Sequence, residues 1–346
     1  MQNFYTLTPD LVMTAVEKIG YSPTGHCMAL NSYENRVYDI KLDDDSHIIT
    51  KFYRPGRWAQ QQILEEHAFL YELQNEEIPV CAPQIINGKS LHIIDGILFA
   101  VWKRTGGRIP DELSDETLPV LGRLIARIHN IGDSKKSESR LTLTSEQYGI
   151  ANLKYLSDKK FLPKNLISRY TKAVNDAASI YDSLITDIPF HRIHGDCHLG
   201  NLLNSPDGWA IVDFDDFLSG PAVQDIWMMF PARDTDGYRR RDILLSAYRE
   251  FRPFKDSWLR LIEPLRALRY INYSAWIARR WEDPSFKNIF PHFGTDQYWE
   301  DETRDIEEEI NYYYEINKDI RTSSNVSSKQ NEDISELTNK DYFWDM

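Results

Sequence analysis

A chain of 346 residues has a length prior of about two domains, and its 42% hydrophobic content is ample for cores of that size. The formal net charge of −13 argues against nucleic acid or an anionic membrane as general partners, because phosphate contacts need Lys and Arg. No stretch approaches about eighteen apolar residues, so no membrane span is expected.

The N-terminal segment lacks the basic and apolar regions of a signal peptide. Cys27, Cys81 and Cys197 show neither metal-ligand spacing nor an even framework, so free thiols and a cytoplasmic setting are expected. Thr8-Pro9-Asp10 opens a short helix, with Thr8 as N-cap and Pro9 at the first helical position. From Met28 to Leu42 the reading is strand, loop, strand, with Tyr38, Ile40 and Leu42 alternating with polar residues. The intervening loop, Asn31-Ser32-Tyr33-Glu34-Asn35, is polar and has no glycine. Asp43 to Ser46 is a turn, and Ile48 to Tyr53 a third strand. Lys51 sits in its middle among apolar neighbours. Leaving it buried and unpaired costs several kcal/mol, so it either meets an acid or faces solvent.

A helix follows from Gln60 to Leu73, with Ile63, Leu64, His67, Leu70 and Leu73 at steps of three and four and with Glu65 and Glu66 on it. Strand-like runs around Ile85 and Leu91–Ile94 precede a strong strand at Ile97–Trp102, which Lys103–Arg108 breaks. The boundary between a first lobe, residues 1–103, and a second, residues 104–321, is placed there. Helices are expected from Thr117 to Ile131 and from Asn165 to Ile185, with mixed loop and short helix around Asn152–Phe161. Two more helices follow the central motif, carrying Leu261, Leu265, Leu268 and Ile271 as a stripe, with Arg266, Arg269, Arg279 and Arg280 on or beside it. Those arginines form either one wall of an acceptor groove or a solvated basic face. Residues 322–346 are polar and read as a mostly disordered tail.

The densest chemistry lies between His191 and Asp225. His194-Gly-Asp-Cys-His-Leu-Gly-Asn201 is followed by the apolar run Ala210-Ile211-Val212 and then Asp213-Phe-Asp-Asp216. Phosphoryl transfer needs a carboxylate to hold the attacking hydroxyl and oxygen ligands for a Mg²⁺ that neutralises the moving phosphate. In the kinase template an Asp does the first, and an Asn five positions on and an Asp after the next strand do the second. Asp196, Asn201 and Asp213 stand at those spacings. On the same template Lys51 positions the ATP phosphates and pairs with a helical glutamate, Glu66 by preference and Glu65 otherwise. Ser32, in the first loop, is the candidate phosphate contact in a backbone nest; the alternative is an ordinary polar hairpin. A metal hydrolase built on His194, Asp196, His198, Asp213 and Asp215 is the competing chemistry. Nearly all its ligands would come from one stretch, so bracing roles for the two histidines fit better. Only five residues separate Asp215 from Pro221, too few for a regulated activation segment.

His-Gly-Asp in place of His-Arg-Asp resembles the aminoglycoside phosphotransferase and choline kinase branch of the kinase-like fold. The words Leu-Asn-Ser-Tyr-Glu-Asn-Arg-Val-Tyr, Lys-Phe-Tyr-Arg-Pro, Ile-Leu-Glu-Glu-His, His-Gly-Asp-Cys-His, Gly-Pro-Ala-Val-Gln-Asp-Ile-Trp-Met and Ile-Glu-Pro-Leu-Arg-Ala resemble, more specifically, the stress response kinase A family of proteobacteria. The resemblance implies an α+β, bilobal, protein-kinase-like fold, with a small antiparallel-sheet N-lobe and a larger, mostly helical C-lobe. It implies Asp196 as proton acceptor, Asn201 and Asp213 as Mg²⁺ ligands and Ser32 at the ATP site. It further implies phosphorylation of protein Ser/Thr, including autophosphorylation, in a stress response, by a monomer. Two alternatives stay open: a small-molecule kinase for an amino alcohol, sugar or antibiotic, and an inactive nucleotide-binding scaffold, motivated by the missing glycine loop.

Overall fold

The computed structural model describes residues 4–30 and 32–322. Of the expected tail, residues 322–346, Thr322 ends the last helix and the rest lies outside the described residues. In chain order the elements are α1 (Pro9–Lys18), β1 (Pro23–Leu30), β2 (Arg36–Leu42), β3 (His47–Phe52), α2 (Gln60–Asn75), β4 (His92–Ile94), β5 (Ile97–Lys103) and α3 (Thr117–Asp133). Then come α4 (Ala151–Asp158), α5 (Ile167–Ile185), β6 (Phe190–Ile193), β7 (Leu202–Ser205), β8 (Gly208–Ile211), β9 (Leu218–Pro221), α6 (Val223–Trp227), α7 (Thr235–Tyr248), α8 (Ile262–Arg279), α9 (Pro284–Ile289) and α10 (Asp296–Thr322). The fold is the expected α+β, bilobal, kinase-like one. The chain forms two compact units. One comprises Met1–Leu141, His191–Ser219 and Met228–Pro253; the other comprises Thr142–Phe190, Gly220–Trp227 and Phe254–Met346.

The first unit is built on an antiparallel sheet ordered β1-β2-β3-β5-β4. Thr8 accepts a hydrogen bond from the Leu11 amide and starts α1, as its sequence announces. Alternation along the strands sorts side chains between the two faces. Ile48 and Phe52 join Tyr38, Ile40, Phe99 and Val101 in a core shared with Val12 and Val16 of α1. Lys51 and Tyr53 point the other way, where Ala100 and Ile63 of α2 are buried. Lys51 pairs in register with Val37 on one side and Ala100 on the other, so its backbone is held in the middle of the sheet.

The strand expected around Ile85 is not formed. Pro79 and Pro83 remove donors there, Ile85 is exposed, and the segment makes isolated bridges, Val80 with Ile211 and Ile86 with Lys89, and one bond from the Gln84 amide to the Val101 carbonyl, in place of a ladder. Elsewhere in this unit β7 and β8 form a hairpin, with Leu202 opposite Ile211. α3 packs closely on α7. A Cβ at Gly122 would run into the Leu244 carbonyl oxygen, so this mid-helix glycine is a point of backbone contact.

The second unit is helical, with Tyr170 of α5 packed edge-to-face on Trp299 of α10. Arg266 was expected on a groove wall, and that expectation is corrected here. It is buried, 3.6 Å from Glu263 and 3.7 Å from Glu309, with its guanidinium over the Trp227 ring. Burial of Glu263 and Glu309 draws in a counter-charge, and Arg266 on the same stripe supplies it.

Candidate active site

The loop after β6 is shaped by a glycine. Gly195 has φ of 84°, and a Cβ there would lie 2.6 Å from the Asp216 carbonyl oxygen and 3.3 Å from Leu218. A side chain at this position would therefore collide with the segment that carries Asp213. His194 Nδ1 accepts from the Asp196 amide at 3.2 Å, which leaves Nε2–H to donate to the Val212 carbonyl at 2.9 Å. His198 Nδ1 accepts from the Gly200 amide at 3.0 Å and caps the short turn at Leu199–Asn201. Both imidazoles thus brace the loop. Among the described residues no group of three or more His, Cys, Asp or Glu side chains is placed to hold a metal, so the multi-ligand site of a hydrolase is not formed.

Asn201 donates its side-chain amide to the Asp196 carbonyl at 2.9 Å and lies 3.5 Å from Asp196 Oδ2. Its donor group is committed to the loop; its amide oxygen takes part in neither contact. The Val212 amide donates to the Asn201 carbonyl at 3.0 Å and so ties this loop to the residue preceding Asp213. Asp213 takes a left-handed conformation, φ 59°, which non-glycine residues adopt seldom and Asp more readily than most. Its side chain is 54% exposed. The Asp213 carboxylate and the Asn201 amide oxygen are hard oxygen donors of the kind Mg²⁺ takes alongside substrate phosphates.

Lys51 reaches this carboxylate. Its Nζ lies 2.9 Å from Asp213 Oδ1 and 3.1 Å from Asp215 Oδ1. The expected ion pair with Glu66 is not made, and that expectation is corrected. Burial of the ammonium would lower its pKa, and the charges of Asp213 and Asp215 reverse the effect and raise it. Glu66 stays within electrostatic reach and is 1% exposed. Burial lifts its carboxyl to about 7, with Lys51 opposing. Glu65 is not a Lys51 partner either. It accepts from the Ser137 hydroxyl at 2.6 Å, from the Glu138 and Ser139 amides at 2.8 Å, and from the Ser139 hydroxyl.

Three arginines complete the site, and sequence reasoning passed over all of them. Arg57 Nη1 lies 2.6 Å from Asp215 Oδ2 and 3.3 Å from Glu34 Oε2, and its Nη2 lies 2.5 Å from Asp216 Oδ1. Arg54 donates to the Glu34 and Tyr33 carbonyls at 3.0 and 3.3 Å and pairs with the Glu34 carboxylate. Arg140, buried against Trp58 and Phe217, donates to the Phe217 and Asp215 carbonyls. The β1–β2 loop is therefore held by arginine where a glycine motif was missing. Ser32 accepts from the Asn35 amide at 3.3 Å, and the Asn35 side chain donates to Asp215 Oδ2 at 3.2 Å. The only sequence signal was opposite charge: two arginines just after β3 and an acid-rich Asp213–Asp216.

Residues 26–261 match the model of the phosphotransferase enzyme family. Stress response kinase A of Escherichia coli strain K12 is 39% identical over 297 residues, covering 86% of this chain and 90% of that protein. Serine/threonine protein kinase RdoA of Salmonella typhimurium strain LT2 is 35% identical over 313 residues, covering 90% of this chain and 95% of that one. Among solved structures, the amicoumacin kinase hAmiN in complex with AMP-PNP, Ca²⁺ and Ami is similar with a TM-score of 0.71, covering 90% of this chain and 98% of that one. At 17% identity that likeness speaks to the fold alone.

Proposed function

The chain belongs to the stress response kinase A family within the phosphotransferase enzyme family, and we propose that it uses ATP and Mg²⁺ to phosphorylate serine or threonine hydroxyls of protein, its own included, in a stress response. One observation carries the reading. Asp196 and Asn201 share a loop that is hydrogen-bonded to the residue before Asp213, and Asp213 is paired with Lys51. These are the groups in-line phosphoryl transfer calls for, brought together in one unit.

In this reading Asp196 accepts a hydrogen bond from the acceptor hydroxyl and takes its proton as the new P–O bond forms. Lys51 leaves Asp213 for the ATP phosphates, and Ser32 with the backbone of its loop contacts the phosphate oxygens. Asn201 and Asp213 would hold Mg²⁺, which would supply positive charge to offset that on the transferring group. Glu66 lies behind Lys51 and favours its charged form. Residues 1–103 serve as the nucleotide lobe and 104–321 as the acceptor lobe of a cytoplasmic monomer. No helix among the described residues is long and apolar enough to cross a membrane.

A second reading is a small-molecule kinase for an amino alcohol, sugar or antibiotic, since the phosphotransferase family model that the chain matches specifies no acceptor. Radiolabelled ATP offered with mixed protein and small-molecule acceptors separates the two. Label in protein, lost in Asp213→Ala, supports the first reading. Label only in a small alcohol replaces it with the second. Mg²⁺-dependent nucleotide binding with no transfer at all leaves an inactive scaffold.

A further inference from the structure

We propose that Arg57 is a positioning residue for phosphoryl transfer, holding the Asp213 carboxylate on aim while Lys51 changes partners and coupling the β1–β2 loop to the same segment. The inference rests on the kinase reading and goes beyond it. In the structure Lys51 is the direct anchor of Asp213, at 2.9 Å. Phosphates bound by Lys51 compete for that anchor. Asp213 sits in a left-handed conformation, and its side chain caps no amide of the turn that follows. Such a conformation persists only where its surroundings over-determine it.

Arg57 supplies that determination. It sits between β3 and α2 with a side chain only 12% exposed, over the Trp58 ring. It grips two consecutive carboxylates, Asp215 at 2.6 Å and Asp216 at 2.5 Å, two and three positions after the strained residue. A planar guanidinium with two nitrogens on two carboxylates fixes orientation as well as distance. The same Nη1 lies 3.3 Å from Glu34 on the β1–β2 loop. Asn35 of that loop adds a bond to Asp215 at 3.2 Å. Arg140 holds the backbone of the segment through the Asp215 and Phe217 carbonyls, and Arg57 holds its side chains. The position of Glu34 on that loop and the placement of Asp213 therefore share one residue that need touch neither nucleotide nor metal.

The test uses the full chain with Arg57→Ala, Arg57→Lys and Asp216→Asn. Binding of a fluorescent ATP analogue is measured without metal and across a Mg²⁺ titration, together with kcat, KM and the melting temperature. Arg57→Ala is expected to weaken the apparent Mg²⁺ affinity and lower kcat by about 10–100-fold, the range for residues that orient a metal ligand, while metal-free nucleotide affinity stays within about threefold. Arg57→Lys, one point charge in place of a fork, should restore part of the loss. Asp216→Asn should shift the Mg²⁺ titration the same way but less, and it serves if Arg57→Ala does not fold. Unchanged Mg²⁺ titrations in Arg57→Ala, or in both Arg57→Lys and Asp216→Asn, overturn the proposal. So does an equal loss of metal-free binding, which marks a purely structural residue. A wild-type chain that shows no Mg²⁺-enhanced nucleotide binding overturns the kinase reading itself, and this inference with it.

Discussion

A methyl group at position 195 has nowhere to go. The backbone is left-handed there, and the Asp216 carbonyl oxygen lies 2.6 Å from where the new atom would sit. Gly195→Ala must shift either the Asp196 loop or the Asp213 segment, neither of which is a flexible side-chain tip. It is expected to lower stability by about 2–4 kcal/mol and to reduce turnover further than stability alone explains. A calorimetric melt run beside a turnover assay checks both. Asp196→Asn is a gentler change, because Asn keeps the volume and the side chain is part-exposed. Nucleotide binding should stay near wild type while kcat falls by on the order of 10² or more. Near wild-type turnover in that variant removes Asp196 from its assigned role.

α2 reaches the site through Glu65. Its carboxylate gathers the Ser137 and Ser139 hydroxyls and the backbone amides of 138–140, and so pins the loop that carries Arg140 to the helix that carries Glu66. Arg140 in turn holds the Asp215 and Phe217 carbonyls. Burial by itself would raise the Glu65 carboxyl; the bonds from Ser137, Ser139 and the amides outweigh it and lower the pKa below its ordinary 4.5. A lowered folded-state pKa means stability that is present above the unfolded value and lost as pH falls through the folded one. Glu65→Gln is therefore expected to lose about 1–2 kcal/mol at pH 7, at the low end because the site is part-exposed, and to lose less than wild type between neutral pH and pH 4. Urea midpoints at pH 7 and pH 4 measure both. Equal acid sensitivity in wild type and variant would place the titrating group elsewhere.

Stability of the whole chain carries a second, opposite pH signature. Glu302 on α10 is 2% exposed, and burial, aided by the neighbouring Asp305 charge, pushes its carboxyl up to about 8 from an ordinary 4.5. Between those values the unfolded chain has lost a proton that the folded chain keeps, so stability falls as pH rises from about 4.5 to about 8. Replacing the group with a neutral isostere removes that slope. Glu302→Gln is expected to be more stable than wild type at pH 8, by on the order of 1–3 kcal/mol, and close to it at pH 5. Melting temperatures at the two pH values decide it; a variant less stable at both means the ionised carboxylate has a stabilising partner. The net charge of −13 adds to the same trend, since each proton lost on a negative molecule raises its self-repulsion.

Legibility followed distance along the chain. Thr8 and Pro9 announce α1, alternation announces β2, a β-rich composition announces β3, and the spacing of Asp196, Asn201 and Asp213 can be read because one loop and one hairpin carry all three. Even locally, pattern yielded to chemistry at Ile85, where two preceding prolines lack the amide donors a ladder needs and the run makes only scattered bonds. The contacts that set the site's electrostatics are another matter. Arg57 meets its carboxylates 158 and 159 positions away, and Asn35 meets Asp215 across 180. Lys51 passes over Glu66, fifteen positions on, for Asp213, which is 162 away. Gly122 is needed only because the Leu244 carbonyl of α7 lies against it, a contact no local pattern shows. With 53 acidic and 40 basic side chains, charge complementarity admits far too many pairings to be solved along one dimension. Coulomb attraction names no partner; it rewards whichever opposite charge the packing of sheet, hairpin and helix brings within about 3 Å and out of water.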